Sequence, residues 1–145
     1  MFKRILVVCT GNICRSPMGE ALLRRYLEHT GVEIHSAGTG ALVGHPADPM
    51  SVAVAADHGI DLSTHRAQQA TLPLLSSMDL ILTLDQSHND WLNRHYPQFR
   101  GRVHKIMKWA GNYDVDDPYR LPRAAFEEAW TEIEVGVGDW LKKLA

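Results

Sequence analysis

The sequence predicts a single α/β domain over residues 1–145, a doubly wound four-stranded parallel sheet flanked by helices. Two observations carry this prediction. Ile5-Leu6-Val7-Val8 is a continuous, β-branched-rich run, the pattern of a parallel strand buried on both faces. Strand-like and helix-like segments then alternate along the chain. In such sheets ligands bind beyond the carboxyl ends of the strands, and Cys9 lies at the end of the first.

The elements follow in order. Gly11 and Asn12 break the first strand, and Ser16-Pro17 reads as an N-cap followed by proline at the first helical position. The helix runs to about Thr30 with apolar residues Met18, Ala21, Leu22 and Tyr26, and Gly31 ends it. Val32 to Ala37 predicts a second strand, and Asp48 to Asp57 a helix closed by Gly59. Asp79 to Leu84 is the third strand, a polar helix starts near Gln86, and Val103 to Met107 is a short fourth strand. Residues 111–122 form a polar, proline-containing loop. Beyond it Phe126, Trp130, Ile133, Val137, Trp140 and Leu144 recur at spacings of three or four, a long amphipathic closing helix. Gly136 and Gly138 sit inside it and should each cost about 1 kcal/mol relative to alanine.

Bulk properties narrow the function classes. A chain of 145 residues buries roughly 68–70% of its unfolded surface, so its core needs no staples. A net charge of −2 and the absence of like-charge blocks argue against nonspecific nucleic-acid binding while leaving room for a local anion site. The only cysteines, Cys9 and Cys14, are too few and too close for a disulfide-framed secreted fold. The start at Met1-Phe2-Lys3-Arg4 is basic, but the apolar run from Ile5 to Cys9 is too short for a signal peptide. Nothing approaches a transmembrane span, so the expectation is a cytoplasmic protein without membrane insertion.

The segment Cys9-Thr10-Gly11-Asn12-Ile13-Cys14-Arg15-Ser16 is the most informative stretch. A loop running from a strand into a helix turns backbone N–H groups inward, and the helix dipole adds positive charge. Such a cradle favours a thiolate at its base, the attacking form of cysteine. Arg15 supplies a planar fork of donors suited to two phosphate oxygens. Gly11 and Asn12 tolerate the left-handed conformations that a tight loop requires. Ser16 is placed to hydrogen-bond the sulfur and ease its departure in a second step. Taken singly, Cys9 would read as an inert buried cysteine; it is the conjunction of residues within eight positions that points to chemistry. Other readings fail on spacing. There is no Gly-x-x-x-x-Gly-Lys, and the eight histidines show no metal-binding pairing. Four residues, not two, separate the cysteines. No metal or cofactor is called for.

This loop, with Pro17 after it, resembles the signature of the low-molecular-weight protein tyrosine phosphatases. Further segments match in family order: Ser36 to Thr39, Gly44 to Pro49, His58-Gly59-Ile60, His65-Arg66, Asp79 to Asp85 and Asp117-Pro118-Tyr119. The resemblance implies hydrolysis of phosphotyrosine through a cysteinyl-phosphate on Cys9, with residues Thr10 to Ser16 binding the phosphate. Chemistry alone leaves Asp114, Asp116 and Asp117 open as the acid that protonates the leaving phenolate; the resemblance selects Asp117, before the proline. Asp116 beside it would then favour its protonated form. Asn12, Ser16, Ser36 and His65 are similar to the family's support network. Asp85 also matches, although a helix N-cap explains it equally well.

A deep pocket would select phosphotyrosine over the shorter phosphoserine, with Tyr119 and Leu42 as walls. Arg120 replaces a second tyrosine of the best-known eukaryotic members, and Ala41-Leu42 replaces a bulky aromatic. Both departures resemble the bacterial branch tied to capsule and exopolysaccharide export. They imply a phosphotyrosine protein as substrate, a membrane tyrosine autokinase, met by a monomer or weak oligomer. Cys14 is a candidate redox partner for Cys9. Two rivals stand beside this reading. An arsenate reductase of the same fold would need cysteines outside the loop. A phosphopeptide-binding module without turnover would need neither thiol nor Asp117.

Overall fold

The computed structural model describes residues 2–144; Met1 and Ala145, both within the expected domain, lie outside the described residues. Strand β1 (Arg4–Cys9) is followed by α1 (Arg15–Leu27) and a 3-10 turn (Glu28–Thr30). Then come β2 (Glu33–Gly38), α2 (Pro49–Asp57) and α3 (Leu72–Ser76). Strand β3 (Leu80–Thr83), α4 (Gln86–His95), a 3-10 segment (Pro97–Arg102), β4 (Val103–Lys105) and α5 (Arg123–Leu144) complete the chain. The four strands pair only in parallel, in the order β2-β1-β3-β4. The chain leaves β1 towards one edge and returns from β2 to the other side of β1, creating a switch point between β1 and β3.

Strand alternation divides the core in two. Ile5, Val7 and Cys9 pack with α1, α2 and α5 residues such as Met18, Val54 and Trp130. Leu6 and Val8 face the opposite layer with Leu75, Leu92 and Phe99. The period-2 geometry of β1 thus delivers Cys9 to the α1 face at the carboxyl end of the strand. No helix among the described residues is long and apolar enough to cross a membrane.

Several expectations need correction. Cys14, not Ser16, is the N-cap of α1 and makes no side-chain cap bond. Pro17 is tolerated at the third helical position because the first-turn amides have no intrahelical partners. Tyr26 is exposed, and the buried face of α1 is carried instead by Met18, Leu22, Leu23 and Leu27. Strand β4 ends at Lys105, short of Met107. The short helix α3, with Thr71 as N-cap, carries no legible period. Helix α5 continues through both glycines. At Gly136 the gap is functional packing: a Cβ there would lie 2.7 Å from the Ile106 carbonyl oxygen.

Candidate active site

The loop between β1 and α1 curls around its own amides. Its carbonyls point outward and are taken by surrounding segments. Thr39 N–H donates to Cys9 O, Gly40 N–H to Thr10 O, Leu42 N–H to Gly11 O and Asp48 N–H to Ile13 O, at 2.8–3.1 Å. His65 Nε2 lies 2.7 Å from Asn12 O, and Ser51 Oγ donates to Cys14 O. Among the described residues, none of the amides of Gly11 to Cys14 donates to a protein acceptor. Close contact with β2 makes this possible, since a Cβ at Gly38 would run into the Thr10 carbonyl.

Asn12 holds the tightest bend, at φ 59°. Its left-handed conformation, uncommon for a residue with a side chain, is held from every side. Asn12 Oδ1 accepts from Gln68 N–H at 2.9 Å, and Nδ2 donates to Ser16 Oγ at 2.7 Å and Ser36 Oγ at 2.9 Å. Ser16 Oγ in turn lies 2.9 Å from Cys9 Sγ. The four expected support residues, Asn12, Ser16, Ser36 and His65, therefore gather around the loop behind the sulfur, the first three buried and His65 half-buried. Cys14 is buried in the same loop, and burial followed by the charge of Asp48 pushes its thiol well up.

Arg15 is 2% exposed. Its Nη1 donates to Asp85 Oδ2 and to the Val115 carbonyl, both at 2.7 Å. Its Nε, buried, has no protein partner among the described residues. Asp85 is the N-cap that the sequence suggested, and it also reaches Arg15. One oxygen caps α4, accepting from the Ser87 and His88 amides, and the other receives Arg15. Burial pushes the Asp85 carboxyl up, but hydrogen bonds from Ser87 and Arg15 outweigh it and hold it below the usual range.

His88 completes the wall. It is 1% exposed, with Nδ1 accepting from Asp85 N–H and Nε2 3.0 Å from Thr10 Oγ1. Accepting at Nδ1 leaves the proton on Nε2, which then donates to Thr10. Burial lowers the His88 pKa to about 4.

The segment carrying Asp117 is tied down just before it. Asp114 accepts from Gln86 N–H and pairs with Lys105 Nζ at 2.9 Å. Val115 N–H donates to Leu84 O. Asp117 Oδ2 lies 3.7 Å from Arg15 Nη2, and Oδ1 accepts from Tyr119 N–H. Asp116 faces α5 instead, where burial, Glu128 and then Asp116 raise the Glu132 carboxyl. Asp114 is thus a brace, and of the three aspartates only Asp117 reaches Arg15. A cavity of about 330 Å³ joins these parts: Cys9, Arg15 and the loop at its floor, Leu42, Tyr119 and Arg120 around it, Asp117 at its side.

Sequence reasoning missed Glu20, Gln68, His88 and Lys105. Of these, only Glu20 had a local signal, one helical turn after Ser16.

Three comparisons place the chain. Residues 4–145 match the family model described as "Low molecular weight phosphotyrosine protein phosphatase". A probable low molecular weight protein-tyrosine-phosphatase, EpsP of Ralstonia nicotianae, is 49% identical over 99% of this chain and 97% of its own. The crystal structure of the tyrosine phosphatase Wzb from Escherichia coli K30 with sulphate superposes with a TM-score of 0.95 at 41% identity, covering 100% of both chains. The YwlE arginine phosphatase, in a mutant form with a phosphorylated active-site serine, superposes at 0.91 with 30% identity, covering 97% of this chain and 95% of its own.

Proposed function

The chain belongs to the low molecular weight phosphotyrosine protein phosphatase family, and from that premise we propose that Cys9 attacks phosphotyrosine in a protein substrate to form a phosphocysteine. The observation that supports this most is the pairing of a buried sulfur with a loop in which the amides of Gly11 to Cys14 have no protein acceptor among the described residues. In this reading the amides of residues 10–16 and the Nε–Nη2 edge of Arg15 hold the phosphoryl oxygens. Nη1, already bound to Asp85 and Val115, fixes the angle of the fork.

In the first step Cys9 sulfur attacks phosphorus in line, the phosphorus–phenolate bond breaks, and Asp117 gives its proton to the leaving oxygen. In the second step Asp117 takes a proton from water, which attacks phosphorus and expels the sulfur. Ser16, 2.9 Å from Sγ, stabilises the departing thiolate. Leu42 and Tyr119 wall the approach, and their apolar surfaces favour the ring of an aryl phosphate.

The substrate is a bacterial tyrosine autokinase of capsule or exopolysaccharide production, met in the cytoplasm. Support comes from Arg120 and Ala41-Leu42 and from the similarity to EpsP and Wzb. Cys14 serves as the redox partner of Cys9. Arsenate reduction is disfavoured because both cysteines lie in one loop. The test is phosphate release from matched peptides bearing phosphotyrosine, phosphoserine or phosphoarginine. Preference for phosphotyrosine is expected. Preference for phosphoarginine would move the chain towards the YwlE activity, and no release from any peptide would leave a binding module.

A further inference from the structure

Arg120 follows Asp117 and Tyr119 on one tight turn. Leu121 N–H donates to Pro118 O at 2.8 Å, so Tyr119 and Arg120 are the central residues of that turn. Of the two only Arg120 is left-handed, at φ 67°. This is the type II pattern, whose left-handed place suits glycine or asparagine. The other residues with a side chain at positive φ, Asn12 and Asn112, are indeed asparagines. Arginine carries a steric cost there that glycine would not, and such an outlier beside a reactive group points to a use for the side chain.

The guanidinium is oriented but engages no acid. Its carbon lies 5.1 Å from the Tyr119 ring centroid, and stacking on that ring restricts it while leaving its donors free. Among the described residues Arg120 makes neither an ion pair nor a side-chain hydrogen bond. The turn beneath it is pinned, because Asp117 Oδ1 accepts from Tyr119 N–H at 3.1 Å. Arg120 lines the same cavity as Cys9 and Asp117. The other guanidinium of that cavity, Arg15, is buried at the floor and bound to Asp85. Arg120, by contrast, is exposed. We propose that Arg120 is a specificity-determining residue that pairs with an anionic side chain next to the phosphotyrosine, a carboxylate or a second phosphate. The proposal rests on the phosphotyrosine reading and deepens it to acidic phosphotyrosine segments.

The physical case is one of position. A phosphotyrosine ring between Leu42 and Tyr119 brings its phosphate to the floor and keeps its own backbone and flanking residues at the rim. A cation at the rim meets those neighbours and not the reacting phosphorus. Its contribution therefore falls on capture of the substrate, in KM, and leaves kcat alone. Exposed ion pairs give effects of about two- to fivefold, and a guanidinium already held by stacking loses less freedom on pairing.

The experiment compares kcat/KM on peptides that share one phosphotyrosine and differ at a single flanking position. That position carries glutamine, glutamate or a non-hydrolysable phosphonate analogue of phosphotyrosine, and it is moved along both sides of the phosphotyrosine. In the wild type at low salt, an anionic peptide at the favoured position should exceed its glutamine match about fivefold, through KM. The advantage should fade towards unity as salt rises to about 1 M, where the Debye length shrinks to about 3 Å. Preference for glutamate identifies an acidic sequence as the determinant; preference for the phosphonate alone identifies a second phosphorylated residue. Arg120→Met, which keeps an apolar stem, should bring the ratio to unity, and Arg120→Glu should favour glutamine. The ratio is taken within each enzyme, so a general loss of activity or stability in a variant cancels. No anionic preference in the wild type at any position, the wild-type ratio retained in Arg120→Met, or anionic preference in Arg120→Glu each overturns the proposal. Absence of phosphate release from every phosphotyrosine peptide defeats the underlying reading as well, whereas equal release from anionic and glutamine peptides defeats only the role of Arg120.

Discussion

Arg15 and Asp85, 70 positions apart in sequence, meet through a single Nη1–Oδ2 contact of 2.7 Å. Asp85 uses its other oxygen to cap α4. A helix terminus therefore serves as the fixed point from which the guanidinium is aimed, and the Nε–Nη2 edge is turned away from both anchors.

Asp85→Asn should weaken that aim while preserving the cap, because the asparagine oxygen can still accept the Ser87 and His88 amides. A small misplacement of a positioning group can cost about 100-fold. We expect turnover on a small aryl phosphate to fall about 10- to 100-fold, with the urea midpoint moved little. A rate near wild type would remove Asp85 from the account.

Asp117→Asn should act through the leaving group. A general acid contributes about 10²- to 10⁴-fold when the leaving oxygen needs its proton. The loss should be large for phosphotyrosine peptides and small for an ester whose phenol is very acidic. Equal losses on both esters would reject the acid role. The leaving-group-dependent loss in Asp114→Asn or Asp116→Asn instead would move the role along the loop.

His88 predicts a stability change with pH. Its folded pKa of about 4 lies below its ordinary value of 6.5, because burial disfavours the imidazolium. The unfolded chain therefore binds more protons between these values. The contribution is fully present above about pH 6.5 and is lost as pH falls towards 4. Between pH 7.5 and 5 it should amount to roughly 2 kcal/mol. Urea unfolding of wild type and His88→Gln at both pH values checks this. Wild type should lose the more stability on acidification; parallel losses would count against a buried neutral His88.

Cys14 predicts recovery from oxidation. Peroxide converts a thiolate to the sulfenic acid, and a neighbouring thiol displaces water from it to form a disulfide. Peroxide-treated wild type should regain activity with dithiothreitol, whereas Cys14→Ser, active beforehand, should regain much less. Intact mass should show loss of two hydrogens in the wild type alone. Equal recovery, or no disulfide mass, would leave Cys14 as a packing residue.

Local chemistry was legible in the sequence and long-range bracing was not. The run from Cys9 to Ser16 could be read because strand end, turn residues, arginine and helix start are contiguous. The same contiguity misled at Ser16, whose serine-proline pair looks like a cap but whose hydroxyl is drawn to Cys9 and Asn12. Gln68 reaches Asn12 across 56 positions through its backbone amide, which has no residue signature. Lys105 reads as a strand-end lysine until the fold brings Asp114 to it. In α5, Gly136 looked like a weakness because propensity cannot see the Ile106 carbonyl against which it packs.

The central claim is that phosphorus passes through Cys9. Rapid acid quench of the protein during turnover of an aryl phosphate, followed by peptide mass spectrometry, tests it directly. The mass of one phosphoryl group is expected on the Cys9 peptide of Asp117→Asn, in which attack by water is slowed, and none on Cys9→Ser. Turnover with no phosphoryl on Cys9 in the quenched Asp117→Asn protein, or substantial turnover by pure Cys9→Ser, would contradict the account.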